Sequence, residues 1–177
     1  MFLRRLVIVV GMVLVLTSAV LAQSEQRQPA KPIKPYVVTP AQSVTDIQKQ
    51  LQSANKAQDI MGGPGLELRV AIQHEKNSSS PTAEVHDASD DVYYVLEGSA
   101  TLTLGGTLES PKEIEQGEWR GPKIIGGEKV EITKGDLVVV PRGTPHHRST
   151  LNKDFTMILI KVFEDPRPPV PKEPAKP

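Results

Sequence analysis

The stretch from Glu84 to Gly98 reads E-V-H-D-A-S-D-D-V-Y-Y-V-L-E-G and combines strand-forming residues with side chains that can bind metal. Glu84 and His86 are two positions apart, so on a strand both side chains point to the same face. The polar segment 87–90 predicts a tight turn, after which Asp91 opens an apolar run that ends at Gly98. The pattern therefore predicts a hairpin with three candidate ligands near its bend.

A second stretch, residues 135–150, combines the same kinds of residue. It begins with a Gly-Asp turn, continues through the apolar segment 137–140, which predicts a buried strand, and then enters a loop with two prolines. This loop leads directly to His146 and His147. Because neighbouring residues on a strand face opposite ways, we expect His146 to point inward and His147 to point outward.

The two stretches resemble the paired motifs of the cupin superfamily. The second motif of that family, G-x5-P-x-G-x2-H-x3-N, falls here on Gly135, Pro141, Gly143, His146 and Thr150. Thr150 stands where the family has asparagine. In the first motif, G-x5-H-x-H-x(3,4)-E-x6-G, Glu84 takes the first histidine position, His86 the second, and Asp91 the position of the glutamate. The resemblance covers residues 66–163 and keeps the spacing of the family while changing two of its four usual ligands.

This resemblance implies an all-β fold, a jelly-roll β-barrel that holds a small ligand inside. It also implies a metal site with two imidazoles and up to two carboxylates, formed by Glu84, His86, Asp91 and His146. Mixed nitrogen and oxygen ligands suit a divalent metal such as Fe, Mn, Zn or Ni. The alternative is a barrel that folds without metal, since two nitrogen donors of the family pattern are replaced.

Other side chains near the two motifs are candidates for contact with a ligand. Tyr93 and Tyr94 face opposite sides of their strand, so one of them is predicted to enter the cavity with its hydroxyl. Arg142 and Arg120 are candidate clamps for a ligand carboxylate, and the alternative for each is a solvated arginine. His74, near the end of a predicted strand, is a spare donor or else a histidine whose hydrogen bonds are satisfied by the core.

The N-terminal segment has the three parts of a secretory signal peptide. Two arginines precede an apolar run at residues 6–16, and small residues end the segment at Ala22. The pattern predicts a signal peptide over residues 1–22, cleavage after Ala22, and a secreted or periplasmic protein without a membrane segment. The alternative is an uncleaved anchor, but the apolar run is short for a membrane span.

The rest of the chain predicts one domain with extended ends. Residues 23–40 are polar and proline-rich, which is typical of a linker. Apolar residues then recur at spacings of three and four, which predicts an amphipathic helix over 43–60 with Ser43 as its cap. This helix packs against the barrel or a dimer partner, or else forms a lid over the barrel. This helix opens the predicted barrel domain, residues 41–163. The segment 164–177 is rich in proline and charge and predicts a disordered tail.

Alternating apolar residues and turn signals predict a series of short strands. We place them at residues 66–73, 82–86, 91–98, 100–104, 130–132, 137–140, 146–149 and 155–163. Residues 107–129 are irregular and contain E-x-R-G-x-x-I-x-G-G, a segment similar to one in certain secreted cupins, so we expect a short edge hairpin there.

Composition limits the classes of function. The 21 basic and 21 acidic residues cancel, so neither nucleic acid nor an anionic membrane is indicated as a partner. With no cysteine, the chain forms no disulfide. Nucleophile elbows, phosphate-binding glycine loops and dinucleotide fingerprints are also missing from the sequence.

Two classes of function remain. The first is a module that binds a small polar molecule, with or without a metal, and performs no chemistry. The second is a metal-dependent enzyme such as an oxygenase, isomerase or lyase, in which a carboxylate is a third ligand or a base. The fold alone does not choose between them, because one barrel hosts many functions. The family resemblance further implies a homodimer that pairs through its sheets.

Overall fold

The computed structural model describes residues 29–166. The chain divides into two units, residues 1–32 and 33–177, and the folded unit discussed below is the second. The predicted signal peptide, the first part of the predicted linker and the end of the predicted tail lie outside the described residues. Within the described range, no helix is both long and apolar enough to cross a membrane.

Between residues 29 and 166 the chain forms one helix, α1 (Ala41–Leu51), and twelve strands. The strands are β1 (Lys56–Met61), β2 (Leu68–Lys76), β3 (Ala83–His86), β4 (Ser89–Leu104), β5 (Thr107–Leu108), β6 (Lys112–Glu115), β7 (Glu118–Gly121), β8 (Ile124–Ile125), β9 (Glu128–Thr133), β10 (Leu137–Val140), β11 (His146–Ser149) and β12 (Asp154–Phe163). All strand pairs are antiparallel. The predicted all-β fold with one short N-terminal helix is therefore confirmed.

The long strand β4 joins two sheets that enclose the core. Its first part, residues 89–98, pairs with β12 and β10, and β12 continues through β2 to the edge strand β1. Its second part, residues 99–104, pairs with β9 and β11, and β11 continues through β3 and β7 to β6. The neighbour order β1-β2-β12-β4-β11-β3-β7-β6 is that of a jelly roll.

Gly98 marks the transition of β4 from one sheet to the other. The sequence predicts that a strand ends there and that residues 100–104 pair back on it, and this prediction is wrong. The strand continues through an irregularity in its pairing with β12, between Thr156 and Met157. Gly98 has φ +76°, and a Cβ built on it would lie 1.8 Å from the carbonyl oxygen of Asp154. A glycine is therefore required for a bend, not for a strand end.

The predicted hairpin between β3 and β4 is also wrong. The turn is limited to residues 87–88, and it carries the chain from one sheet to the other, so the two strands do not pair with each other. β11 lies between them instead: His146 is the register partner of Glu84 on β3 and of Leu104 on β4. This insertion of β11 brings the two motifs together.

The N-terminal helix is shorter than the sequence predicts. The helix begins at Ala41, so Ser43 is its third residue and not its cap. The residue at the cap position is Pro40, which makes no side-chain capping hydrogen bond. Residues 56–61 form the edge strand β1, because the backbone hydrogen bonds of β2 are open there and pairing outweighs a weak helical periodicity. Leu51 is buried and the helix contacts β1 and β2, which agrees with the interpretation of a helix packed against the barrel.

Buried apolar side chains fill the space between the sheets. The core consists of Tyr93, Val95, Ala100, Leu102, Ile132, Val140, Phe155, Met157 and Leu159. The predicted short hairpin within residues 107–129 is confirmed as β6 and β7. The prediction that 137–140 is fully buried is wrong, because Leu137 and Val139 are 65% and 58% exposed on the outer face of their sheet.

Candidate metal centre and ligand cavity

A cavity of about 460 Å³ opens into the barrel. Six strands each contribute two lining residues that are two positions apart, as the alternation of a strand requires. These pairs are Gln73 with Glu75, Glu84 with His86, Asp91 with Tyr93, Glu118 with Arg120, His146 with Arg148, and Leu159 with Lys161. Most of these side chains are ionisable, so the cavity is a polar site inside an apolar barrel.

Four side chains predicted as metal ligands converge in this cavity. The rings of His86 and His146 lie 5.0 Å apart between centroids. The Nε2 atom of His146 lies 3.1 Å from Glu84 Oε1 and 3.9 Å from Asp91 Oδ2. The Nε2 atom of His86 lies 3.9 Å and 3.6 Å from the same two oxygens. The two motifs, distant in sequence, thus form one cluster.

Both imidazoles are fixed through their other nitrogen. His86 Nδ1 donates a hydrogen bond to Glu118 Oε2 at 2.6 Å, and His146 Nδ1 donates to the carbonyl oxygen of Thr144 at 2.9 Å. Nδ1 therefore carries the proton, and the lone pair of each neutral ring lies on Nε2. His146 Nε2 is buried and has no hydrogen-bond partner among residues 29–166. A ring nitrogen held in this way is the usual arrangement of a metal ligand.

In each carboxylate of the cluster, one oxygen faces the histidines and the other contacts a cation. Glu84 Oε1 faces the imidazoles, whereas Oε2 lies 2.6 Å from Arg120 Nη1. Asp91 Oδ2 faces the imidazoles and accepts a hydrogen bond from the Tyr93 hydroxyl at 3.1 Å, whereas Oδ1 lies 2.9 Å from Lys161 Nζ. Two carboxylate oxygens and two ring nitrogens therefore face a common point.

The surroundings keep both carboxylates ionised. Burial disfavours the charge on Glu84, but the attraction of His146, Arg120 and His86 lowers the pKa of Glu84 to about 2. Burial acts in the same way on Asp91, and contacts with His86 and Lys161 lower its pKa far below the ordinary value. Ionised oxygens are the form that binds a metal.

At neutral pH, His86 carries a second proton, on Nε2, when no metal is bound. Burial favours the neutral ring, but the nearby carboxylate of Asp91 and the hydrogen-bonded carboxylate of Glu118 raise the pKa of His86 to about 9. A metal ion that binds to His86 Nε2 therefore displaces this proton.

The donor set fits a divalent metal ion. Ligand atoms at about 2.0–2.2 Å from a tetrahedral ion lie about 3.3–3.6 Å apart. The nitrogen-to-oxygen distances in the cluster, 3.1 to 3.9 Å, bracket that separation. One atom from each of Glu84, His86 and His146 lies within 4.8 Å of the others, so these three residues could hold a metal, with Asp91 beside them.

The structure separates the two tyrosines as predicted. Tyr93 is buried and lines the cavity, whereas Tyr94 is 43% exposed on the outer face of β4. Tyr94 therefore does not reach a ligand inside the barrel. Tyr93 keeps its phenolic proton, because burial and the neighbouring charge of Asp91 raise its pKa well above the ordinary value.

Arg142 does not line the cavity. Its backbone N and its guanidinium donate to the carboxylate of Asp90, and Nη1 lies 2.9 Å from Glu164. It clamps carboxylates of its own chain and holds the loop before β11 against the start of β4 and the segment after β12.

Two further histidines lie outside the metal cluster. His74 is buried on the face of β2 that points away from the cavity, where its Nδ1 lies 2.8 Å from Thr156 Oγ1. The prediction of a spare donor does not hold at this position. His147 turns away from the cluster and hydrogen-bonds to the carbonyl oxygen of Ser80, although its side chain borders the outer part of the cavity.

Sequence reasoning missed five charged residues that line the cavity. They are Lys56, Glu75, Glu118, Arg148 and Lys161. Each lies on a strand, so a charged residue within a strand pattern was the available signal. Without the strand register, such a charge looks like a solvent-facing residue.

Comparison with known proteins supports the fold. No protein-family model matches the sequence, and no curated protein matches it significantly. Among solved structures, protein BH2720 from Bacillus halodurans has a TM-score of 0.52 at 17% identity, over 78% of this chain and 88% of that one.

Two other solved structures are similar over a smaller part of the chain. A cupin protein from Bacteroides fragilis has a TM-score of 0.43 at 16% identity, covering 62% of this chain and 77% of that chain. KdgF from Halomonas sp. has a TM-score of 0.42 at 20% identity, with coverages of 63% and 79%. At these identities, the likeness concerns the fold alone.

Proposed function

We propose that this chain, which has the cupin fold that its two motifs predict, is an exported single-domain protein that binds a small polar ligand beside a divalent metal ion. Glu84, His86 and His146 hold the metal, and Asp91 is the fourth candidate ligand. One observation carries the proposal: both Nδ1 atoms are engaged with the protein, while both Nε2 atoms face the carboxylate oxygens.

The charges around the cluster also favour a metal ion. Arg120 and Lys161 each take one oxygen of a carboxylate and leave the other oxygen facing the histidines. An Fe, Mn, Zn or Ni ion would supply Lewis acidity that polarises a ligand oxygen. The protein residues supply the rest: the two cations orient the carboxylates, and the walls of the barrel exclude bulk water.

A metal-dependent enzyme is the second candidate function. The observation that favours it is the hydroxyl of Tyr93, which lines the cavity, keeps its proton and lies 3.1 Å from Asp91 Oδ2. Such a group can donate a proton or a hydrogen bond to a bound molecule. An oxygenase, isomerase or lyase reaction would then use Tyr93 as the donor.

The proposed export is supported by the sequence of residues 1–22 alone.

Metal content tests the proposed function. The full chain is purified without chelator or affinity metal, and Fe, Mn, Zn and Ni are measured by elemental analysis. We expect about one ion per chain, lost in the His86→Ala/His146→Ala variant and retained in His147→Ala, which changes the neighbouring histidine outside the cluster. If the wild-type protein stays free of metal after incubation with each ion, the proposal is wrong.

A further inference from the structure

Apart from the histidines, the charges that line the cavity cancel before a metal is counted. Four acids and four bases line it: Glu75, Glu84, Asp91, Glu118, Lys56, Arg120, Arg148 and Lys161. A divalent ion therefore leaves the cavity with two excess positive charges when the histidines are neutral. In a partly enclosed cavity, such an excess favours an anionic ligand.

Two of these four cations are engaged by protein groups, and a third is exposed to solvent. Arg148 directs Nε and Nη2 to both oxygens of Glu75, so its bidentate edge is occupied. Lys161 contacts Asp91 Oδ1 at 2.9 Å and the hydroxyl of Ser89 at 3.2 Å. Lys56 is exposed to solvent, where its charge is screened.

Arg120 differs from the other cations. All its side-chain contacts within the described residues use Nη1: Glu84 at 2.6 Å, the carbonyl oxygen of Trp119 at 3.5 Å and Glu118 at 3.8 Å. The Nε and Nη2 atoms have no protein partner in that range. The side chain is 28% exposed and lines the cavity beside the metal cluster.

We propose that the ligand is a small organic carboxylate and that Arg120 recognises it through its Nε and Nη2 edge, while Nη1 keeps Glu84 oriented. This inference rests on the proposed function, because the excess charge comes from the metal. The planar guanidinium matches a carboxylate with two parallel hydrogen bonds, which a lysine does not reproduce.

The uncharged part of the cavity lining indicates what else the ligand carries. It includes the polar residues Asn55, Gln73, Ser78, Ser80 and Thr82. Amide and hydroxyl groups of this kind bind hydroxyl or carbonyl groups. The ligand therefore carries neutral polar groups in addition to the carboxylate that contacts Arg120.

Malonate and its neutral counterpart malonamide test this inference, because they are similar in size and differ in charge. Their affinities for the full chain are measured by calorimetry, and the metal content of each sample is determined in parallel. We expect malonate to bind the wild-type protein at least about tenfold more tightly than malonamide. We expect Arg120→Lys and Arg120→Gln to weaken malonate binding about tenfold or more when variant and wild-type samples are compared at equal metal content.

The control is Arg69→Lys, since Arg69 pairs with Asp59 outside the cavity. Equal affinities for the two compounds, no binding of either, or malonate binding that is unaffected by Arg120→Lys would overturn the inference. These outcomes are distinct from a failure of the proposed function, which shows as a wild-type protein without metal. If malonate binds metal-free protein and this binding depends on Arg120, the proposed contact with Arg120 holds and the proposed metal site is wrong.

Discussion

The Nδ1 atom of His86 lies 2.6 Å from Oε2 of Glu118, a residue 32 positions later in the chain. Glu118 is the first residue of β7, and His86 is its register partner on β3. The bond fixes the ring so that Nε2 faces Asp91. Carboxylates that accept from a metal-binding histidine set its orientation and increase its basicity.

Glu118 is therefore expected to control metal affinity without binding the metal. We predict that Glu118→Ala lowers the affinity about 10- to 100-fold, because the ring of His86 loses its acceptor. Competition with a chromogenic chelator measures this change. The control is Glu115→Ala, which removes an exposed carboxylate of the same hairpin and should leave the affinity unchanged. Equal affinities in the two variants would contradict the positioning role.

The metal-free protein is expected to lose stability at high pH through His86. Its folded pKa of about 9 lies above the ordinary value of 6.5. This contribution to the free energy of unfolding is therefore complete below pH 6.5 and is lost as the pH rises through 9. The size of this pKa shift limits the contribution of His86 to the free energy of unfolding to about 3 kcal/mol. Chemical denaturation between pH 6 and 9.5, with chelator present, measures the loss.

The His86→Gln variant separates this effect from other titrations. Its glutamine does not ionise, so its free energy of unfolding should vary less with pH in the same range. The acid side has the opposite sign: the folded pKa of Glu84, about 2, lies below its ordinary value of 4.5. Its contribution is complete above pH 4.5 and is lost as the pH falls to 2. If stability depends on pH in the same way in His86→Gln and wild type between pH 6 and 9.5, the loss at high pH does not come from His86.

The sequence predicts the ligand side chains better than it predicts their surroundings. The spacing of Glu84 and His86 places both side chains on the same face of any strand. The motif around His146 likewise predicts a second strand that directs a ligand side chain inward. Local spacing carries that information. The pairing of Asp91 with Lys161 depends instead on the register between β4 and β12, which no local pattern reveals.

The errors in the fold have the same origin. Residues 56–61 have a periodicity compatible with a helix, and only the open edge of β2 makes them a strand. Gly98 looks like a strand end because glycine is depleted in strands, whereas here it permits a close approach to Asp154. In both cases, a contact distant in sequence decides the local structure.

Arg148 and Glu75 form an ion pair whose side chains are only 15% and 16% exposed. The Arg148 guanidinium also lies 5.4 Å from the centroid of the Tyr93 ring. We predict that Glu75→Gln destabilises the protein by about 3 kcal/mol, because it leaves a buried cation without its partner. Chemical denaturation measures this loss.

The double variant Glu75→Gln/Arg148→Met removes both charges and should recover most of that loss. The surface pair of Arg69 with Asp59, whose carboxylate side chain is 55% exposed, provides a comparison. Asp59→Asn should cost less than about 1 kcal/mol. Equal costs for Glu75→Gln and Asp59→Asn would show that the inner pair is not critical.

Export makes a prediction about the N-terminus of the mature protein. If residues 1–22 are a cleaved signal peptide, the intact mass of the exported protein corresponds to a chain that starts at Gln23. Replacement of three leucines in the apolar run by lysine should block cleavage and leave the precursor inside the cell. A mature protein that still begins at Met1 would contradict cleavage.

Gly98 and Gly105 allow a matched test of the bend in β4. Both have positive φ, +76° and +74°, so an alanine suffers similar backbone strain at either position. A Cβ at Gly98 meets the carbonyl of Asp154 at 1.8 Å, whereas at Gly105 nothing lies within 4 Å. We predict that Gly98→Ala costs about 2 kcal/mol more than Gly105→Ala, because β12 must move away from β4. Equal free energies of unfolding for the two variants would contradict the close packing of β12 against this bend.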